Sequence, residues 1–340
     1  MDLSFPPASP RRRGLLRGAA AFLALPTLTL PSQPAAAEAV ATYPSHPIRL
    51  VVGFPPGQST DVIARAYAAA LQPILKTPVF VDNKAGANGI LAAQTVKAAE
   101  PDGYTLLFGT SGQLAINPAL YARLPYSASA DFVPVAPIAR GRLFLVVNND
   151  LPVHSLKDLL AYAKAHPGKL SFGSGGQGIT SHLAMEMLKS ATGLDAAHVP
   201  YKGSPAALNG LMAGDVQLLF DSGGSLLPLV DGGKVRAIAV STLDRYPQLP
   251  QLQTVAEQGP PGFQVYAWNA VLAPLKTPAA IVHKLNAAFI EASKTGTVTA
   301  PVRAAAHDAL QMDLPELARF IRTETERWGR TAAAAGIKPE

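Results

Sequence analysis

The chain has 340 residues, 29 Lys and Arg against 23 Asp and Glu, and no Cys. That length holds one large domain or two of ordinary size, and a hydrophobic content of 48% supplies a core and excludes a disordered chain. Without Cys there is no disulfide scaffold, zinc ribbon, iron–sulfur cluster or thiol nucleophile.

The N-terminus carries Arg11-Arg12-Arg13-Gly14-Leu15-Leu16-Arg17, an apolar run to Leu30, and Ala35-Ala36-Ala37. A basic start, an apolar centre and small residues before a cut predict an export signal over residues 1–37, cleaved near Ala37. Its paired arginines followed by x-Leu-Leu resemble a twin-arginine signal, with a Sec signal as the alternative. Removing it discards four Arg and one Asp, so the formal charge falls from +6 to +3 over 303 residues. Such a balance, with no basic run interleaved with aromatics, argues against nucleic acid as a partner. No later stretch is apolar enough to span a bilayer, so the expected location is the periplasm.

Beyond the signal, short β-branched runs alternate with helical patterns. Strands are predicted at Ile48–Phe54, Val79–Val81, Thr105–Gly109, Leu143–Val147, Leu170–Gly173, Ala197–Pro200, Val216–Asp221 and Val235–Ser241. Helices are predicted at Asp61–Leu71, Gly89–Ala99, from a Ser155 cap to Pro167, and at Ser181–Ala191. Further helices run from a Ser204 cap to Gly214, from Thr277 to Ser293, and from Pro315 to near Gly336. Repeated strand–helix units indicate an α/β fold with two mainly parallel sheets flanked by helices and a cleft between them. The expected division is 38–144 plus 268–340 for one lobe and 145–267 for the other.

Four loops share one design: Phe54–Asp61, Gly109–Gln113, Gly173–Ser181 and Pro200–Ser204. Each follows a strand and carries Gly with hydroxyl residues. In open parallel sheets ligands sit beyond the carboxyl ends of strands, and helix N-termini there favour an anion. Lys202 is the one formal cation in these loops. The pattern points to a small carboxylate held mainly by backbone N–H and hydroxyl groups.

Other chemistries are less well supported. Gly173-x-Gly175-x-x-Gly178 fits a dinucleotide fingerprint, with Asp195 at a tolerable distance, but an exported protein meets little nicotinamide cofactor. An exported serine hydrolase using Ser174, Ser181 or His182 lacks a Gly-x-Ser-x-Gly elbow. The histidines show no metal spacing. No cofactor or metal is expected. Asp221, at the end of an apolar strand, either orients loop N–H groups or accepts a ligand amine or hydroxyl.

Several stretches resemble the Bug family, the extracytoplasmic receptors of tripartite tricarboxylate transporters. They are Tyr43–Ile48, Val51–Arg65, Asp82–Gly89, Pro101–Leu107, Gly173–His182, Val199–Gly203, Gly214–Gln217, and Trp268 followed by Ala273-Pro274 and Thr277-Pro278. The resemblance implies a type II periplasmic-binding-protein fold with two lobes that close on a carboxylate, and no catalysis. It places Gly57, Gln58, Ser59, Thr60 and Asp61 around the anchoring carboxylate. It places Ser111, Ser174, Gly175, Thr180, His182, Tyr201, Lys202 and Asp221 at the cleft. Implied partners are the membrane permease subunits, with a sensor ectodomain compatible as well, and the receptor is expected to be a monomer.

Two departures stand out. The family's usual Gly-Gly is Gly57-Gln58 here, so a Gln side chain enters or borders the pocket. The usual Arg-Pro is Lys84-Ala85, in a segment read as structural.

Overall fold

A computed structural model describes residues 42–334 and 339. The export signal of 1–37 and the end of the last helix lie outside the described residues. Ten strands join into one curled sheet in the order β2-β1-β3-β9-β4-β7-β5-β6, with β8 and β10 also on β4. The strands are β1 Ile48–Val52, β2 Val79–Asn83, β3 Thr105–Thr110, β4 Phe132–Val147, β5 Ser171–Ser174, β6 Ala197–Pro200, β7 Leu218–Ser222, β8 Arg236–Val240, β9 Tyr266–Pro274 and β10 His307–Ala309.

Parallel pairing holds where strand–helix units predict it, at β1–β2, β1–β3, β5–β6 and β5–β7. The two parallel sets are joined by antiparallel pairs through β4. Residues 132–142 of β4 pair with β9, and residues 143–147 pair with β7. Sequence patterning finds only the second part of this 16-residue strand, because Pro134, Pro137 and Gly141 read as breakers. The prolines are accommodated at register shifts between Pro134 and Ala136 and between Pro137 and Ala139. Bulges are where a strand tolerates a missing N–H.

The helices are α1 Ser59–Leu75, α2 Ile90–Lys97, α3 Asn117–Leu120, α4 Leu156–Ala165, α5 Thr180–Thr192, α6 Ser204–Ala213, α7 Gly223–Asp231, α8 Val255–Gln258, α9 Ala279–Ala292, α10 Gly296–Ala304 and α11 Leu314–Ala334. A π-helical turn, Gly112–Ile116, precedes α3. Helix α1 buries Ile63, Ala64, Tyr67, Ala68 and Leu71, one face at helical spacing, in the same core as Leu50 and Val52 of β1 and Phe289 of α9. Each large apolar side chain so buried contributes roughly 1.5–3 kcal/mol. Helix α7 escapes sequence reading because Gly223-Gly224 and Pro228 argue against it. Its start follows β7 directly, whereas α1 and α5 begin after the loops that follow β1 and β5.

Two capping expectations resolve differently. The Ser155 hydroxyl accepts from Asp158 N–H as its spacing predicts. Ser204 does not cap α6; its hydroxyl donates instead to Asp221 at 2.9 Å. Among the described residues no helix is long and apolar enough to cross a membrane.

Strand β10 lays His307 directly over Gly141 of β4. A Cβ at position 141 would lie only 2.2 Å from Cε1 of the imidazole ring. Gly141→Ala is therefore expected to lower stability by about 1–3 kcal/mol, read as a drop in the urea midpoint; an unchanged midpoint would contradict this packing.

Candidate ligand-binding cleft

The strand-end loops of the two parallel sets face each other across β4. Hydrogen bonds among the described residues join them. Ser59 Oγ, after β1, meets Ser222 Oγ, after β7, at 2.8 Å. Ser111 Oγ, after β3, meets Thr180 Oγ1, after β5, at 2.8 Å. Asn88 Nδ2, after β2, donates to Gly178 O at 2.8 Å. Sequence reading missed Asn88 and Ser222 entirely.

These pairs border an inner chamber of about 80 Å³, lined by Gln58, Ser59, Thr60, Ser111, Thr180 and Asp221 among the expected residues. Asn88, Ser222, Trp268, Asn269 and His307 also stand in its wall. An outer chamber of about 480 Å³ is lined by Gly175, Tyr201 and Lys202, with Tyr121 and Ala85–Asn88. Phe54, Gln58, Asn88 and Ile179 line both, so they form the boundary between the two spaces. Ala85 corrects the reading of its segment as purely structural: the Lys84-Ala85 departure falls at the cleft wall.

Gln58 reaches across to the opposite set. A Cβ at Gly203 would lie 2.6 Å from its Nε2, and Gly203 has φ +101°. Only glycine satisfies both the backbone and the approach of the amide there.

Four expected residues line neither chamber: Gly57, Asp61, Ser174 and His182. Asp61 is buried and braces the first loop. It accepts from Gly57 N–H at 3.0 Å, Arg65 Nε at 3.0 Å and Asn83 Nδ2 at 2.9 Å. Burial alone would raise its carboxyl; those donors outweigh it and hold the group below its ordinary range. Ser174 donates to Gly176 O at 2.9 Å and contacts His198 Nε2 at 2.7 Å. His182 Nδ1 accepts from Gly178 N–H at 3.1 Å, and its ring stacks on His198 at 3.9 Å. Both residues support the Gly173–Ser181 loop from beneath.

Asp221 stands otherwise. It is 6% exposed and faces the inner chamber, and its Oδ1 accepts from Ser204 Oγ at 2.9 Å and Ser222 N–H at 2.8 Å. Burial pushes its carboxyl up to about 6 against those two hydrogen bonds. Trp268 is held by its indole N–H on Glu324 Oε2 at 2.9 Å, and Arg327 pairs with the same carboxylate. The C-terminal helix α11 thereby fixes one wall of the cleft.

Residues 63–337 match the tripartite tricarboxylate transporter family receptor. The chain belongs to this receptor family. It is 36% identical to protein BugT of Bordetella pertussis over 87% of this chain and 91% of that one. R. palustris Rpa4515 with adipate superposes with TM-score 0.84 at 36% identity, covering 88% of this chain and all of that one. MatC of Rhodopseudomonas palustris with bound malate gives TM-score 0.80 at 32% identity, over 85% and 99% of the two chains.

The family and fold are those of periplasmic solute-binding receptors, which are not enzymes. The contact between Ser174 and His198 fits that conclusion. Because the Ser174 hydroxyl donates to Gly176 O, His198 Nε2–H donates to Ser174, the reverse of what a general base does. Asn269 and Asn88 carry signals that could have found them: a polar residue inside an apolar strand, and an Asn amid glycines after a strand. His307 carries none.

Burial, then the neighbouring imidazole and Lys189, lowers His182 from 6.5 to about 3; burial and Lys189 lower His198 to about 4. The folded receptor so binds fewer protons than the unfolded chain below about pH 6.5, and stability falls as pH drops through that window. Each group contributes at most about 1.4 kcal/mol per pH unit. His182→Asn keeps an acceptor for Gly178 N–H and removes one titration. Its urea midpoint is expected to depend less on pH between about pH 6 and about pH 4 than the wild type's; parallel profiles would contradict the assignment.

Proposed function

We propose that this receptor captures a small carboxylate between two lobes in the periplasm and delivers it to the permease subunits of a tripartite tricarboxylate transporter. The lobes are residues 38–144 with 268–340, and 145–267, the first following removal of the export signal. The observation that carries the reading is the meeting of hydroxyl-bearing strand-end loops from both sets at one chamber. Adipate and malate in two relatives support a carboxylate as cargo.

The ligand contacts are Gln58, Ser59, Thr60, Ser111, Thr180 and Asp221 in the inner chamber, and Gly175, Tyr201 and Lys202 in the outer one. The starts of α1, α5 and α7 bring their positive dipole ends to the inner chamber and suit an anionic group. Lys202 is available to a second anionic group at the far end. Closure needs no covalent step. The three cross-cleft hydrogen bonds contribute on the order of 1 kcal/mol each, so a ligand with a few kcal/mol of differential affinity sets the balance between open and closed forms.

Calorimetry with a panel of mono- and dicarboxylates tests the reading. Binding by at least one is expected, and failure of all of them would contradict it. Gln58→Gly opens the boundary between the chambers and removes one amide. It is expected to change the preference between short and long dicarboxylates by about tenfold, the effect of one hydrogen bond. An unchanged ranking would mean the amide plays no part in selection.

A further inference from the structure

Among the described residues lining the inner chamber, Asp221 is the only formal charge, and none is Lys or Arg. Its carboxylate meets neutral donors alone, a hydroxyl and a backbone N–H, both on Oδ1. The other polar groups of its wall are neutral: hydroxyls such as Ser59, Ser111 and Thr180, the amides of Gln58, Asn88 and Asn269, and the His307 imidazole.

A chamber that suits an anion therefore also presents a carboxylate with no cation beside it. A buried charge calls for an opposite charge. A plain carboxylate supplies none and adds repulsion. Resting on the receptor reading above, we propose that the ligand is a carboxylate bearing an ammonium group, an amino acid or amino dicarboxylate, whose ammonium is accepted by Asp221.

The dimensions fit. At about 80 Å³ the inner chamber holds several water-sized groups, the scale of an amino-acid head group. The remainder of the ligand extends past Gln58 into the outer chamber, where Lys202 faces a distal carboxylate.

Two matched series test this by calorimetry on the exported receptor: aspartate, malate and succinate, and glutamate, 2-hydroxyglutarate and glutarate. Within a series only the group on one carbon changes, from amino to hydroxyl to hydrogen. The amino member is expected to bind tightest in at least one series. Asp221→Asn keeps an acceptor for Ser204 and Ser222, and should weaken the amino member about thirtyfold while changing the unsubstituted one less than about threefold. Tighter binding of the unsubstituted member by the wild type overturns the ammonium proposal and leaves the carboxylate receptor standing. So do equal losses across a series in the variant, which would make Asp221 a loop support. Should the variant fail to fold, the wild-type ranking alone decides. Binding by no member of either series, or of the wider panel, overturns the receptor reading and this one with it.

Discussion

Strand β4 serves two sets of partners, and the cleft exists because it does. Its first eleven residues pair with β9 and its last five with β7. Each flank then carries a parallel set whose carboxyl ends open toward the other. Bulges at Pro134 and Pro137 let the strand curl. Once that strand is fixed, Ser59 and Ser111 have nowhere to end but opposite Ser222 and Thr180.

The chemistry of the cleft follows from what those loops can carry. Hydroxyls and backbone N–H groups suit an anion without a fixed cation. Loop rigidity is supplied from behind, by Asp61 under the first loop and by the stacked His182 and His198 under the third. Keeping those imidazoles neutral leaves Nδ1 of His182 free to accept from Gly178. Asp221 is the one charge among the described residues lining the inner chamber, and α11 fixes the same wall through Trp268.

Much of this was legible in the amino-acid order. Gly and hydroxyl residues after apolar strands located the first, second, third and fourth loops, and six of the expected residues do meet in the inner chamber. The failures have physical reasons. Spacing reveals that Asp61 starts a helix but not which way its carboxylate turns; Arg65 and Asn83 turn it inward. His182 follows the loop immediately and turns back beneath it to accept from Gly178 N–H. Prolines concealed the first part of β4, and Gly223-Gly224 concealed α7. His307 arrives from the far end of the chain, over Gly141, by tertiary packing that no local pattern encodes.

Bound cargo offers the most direct check on the central claim that the cleft holds a small carboxylate. The exported receptor, purified without added ligand and then denatured, can be assayed by mass spectrometry for released small molecules in stoichiometric amount. A carboxylate is the predicted finding. A released molecule with no carboxylate, whether neutral or purely cationic, would contradict the account.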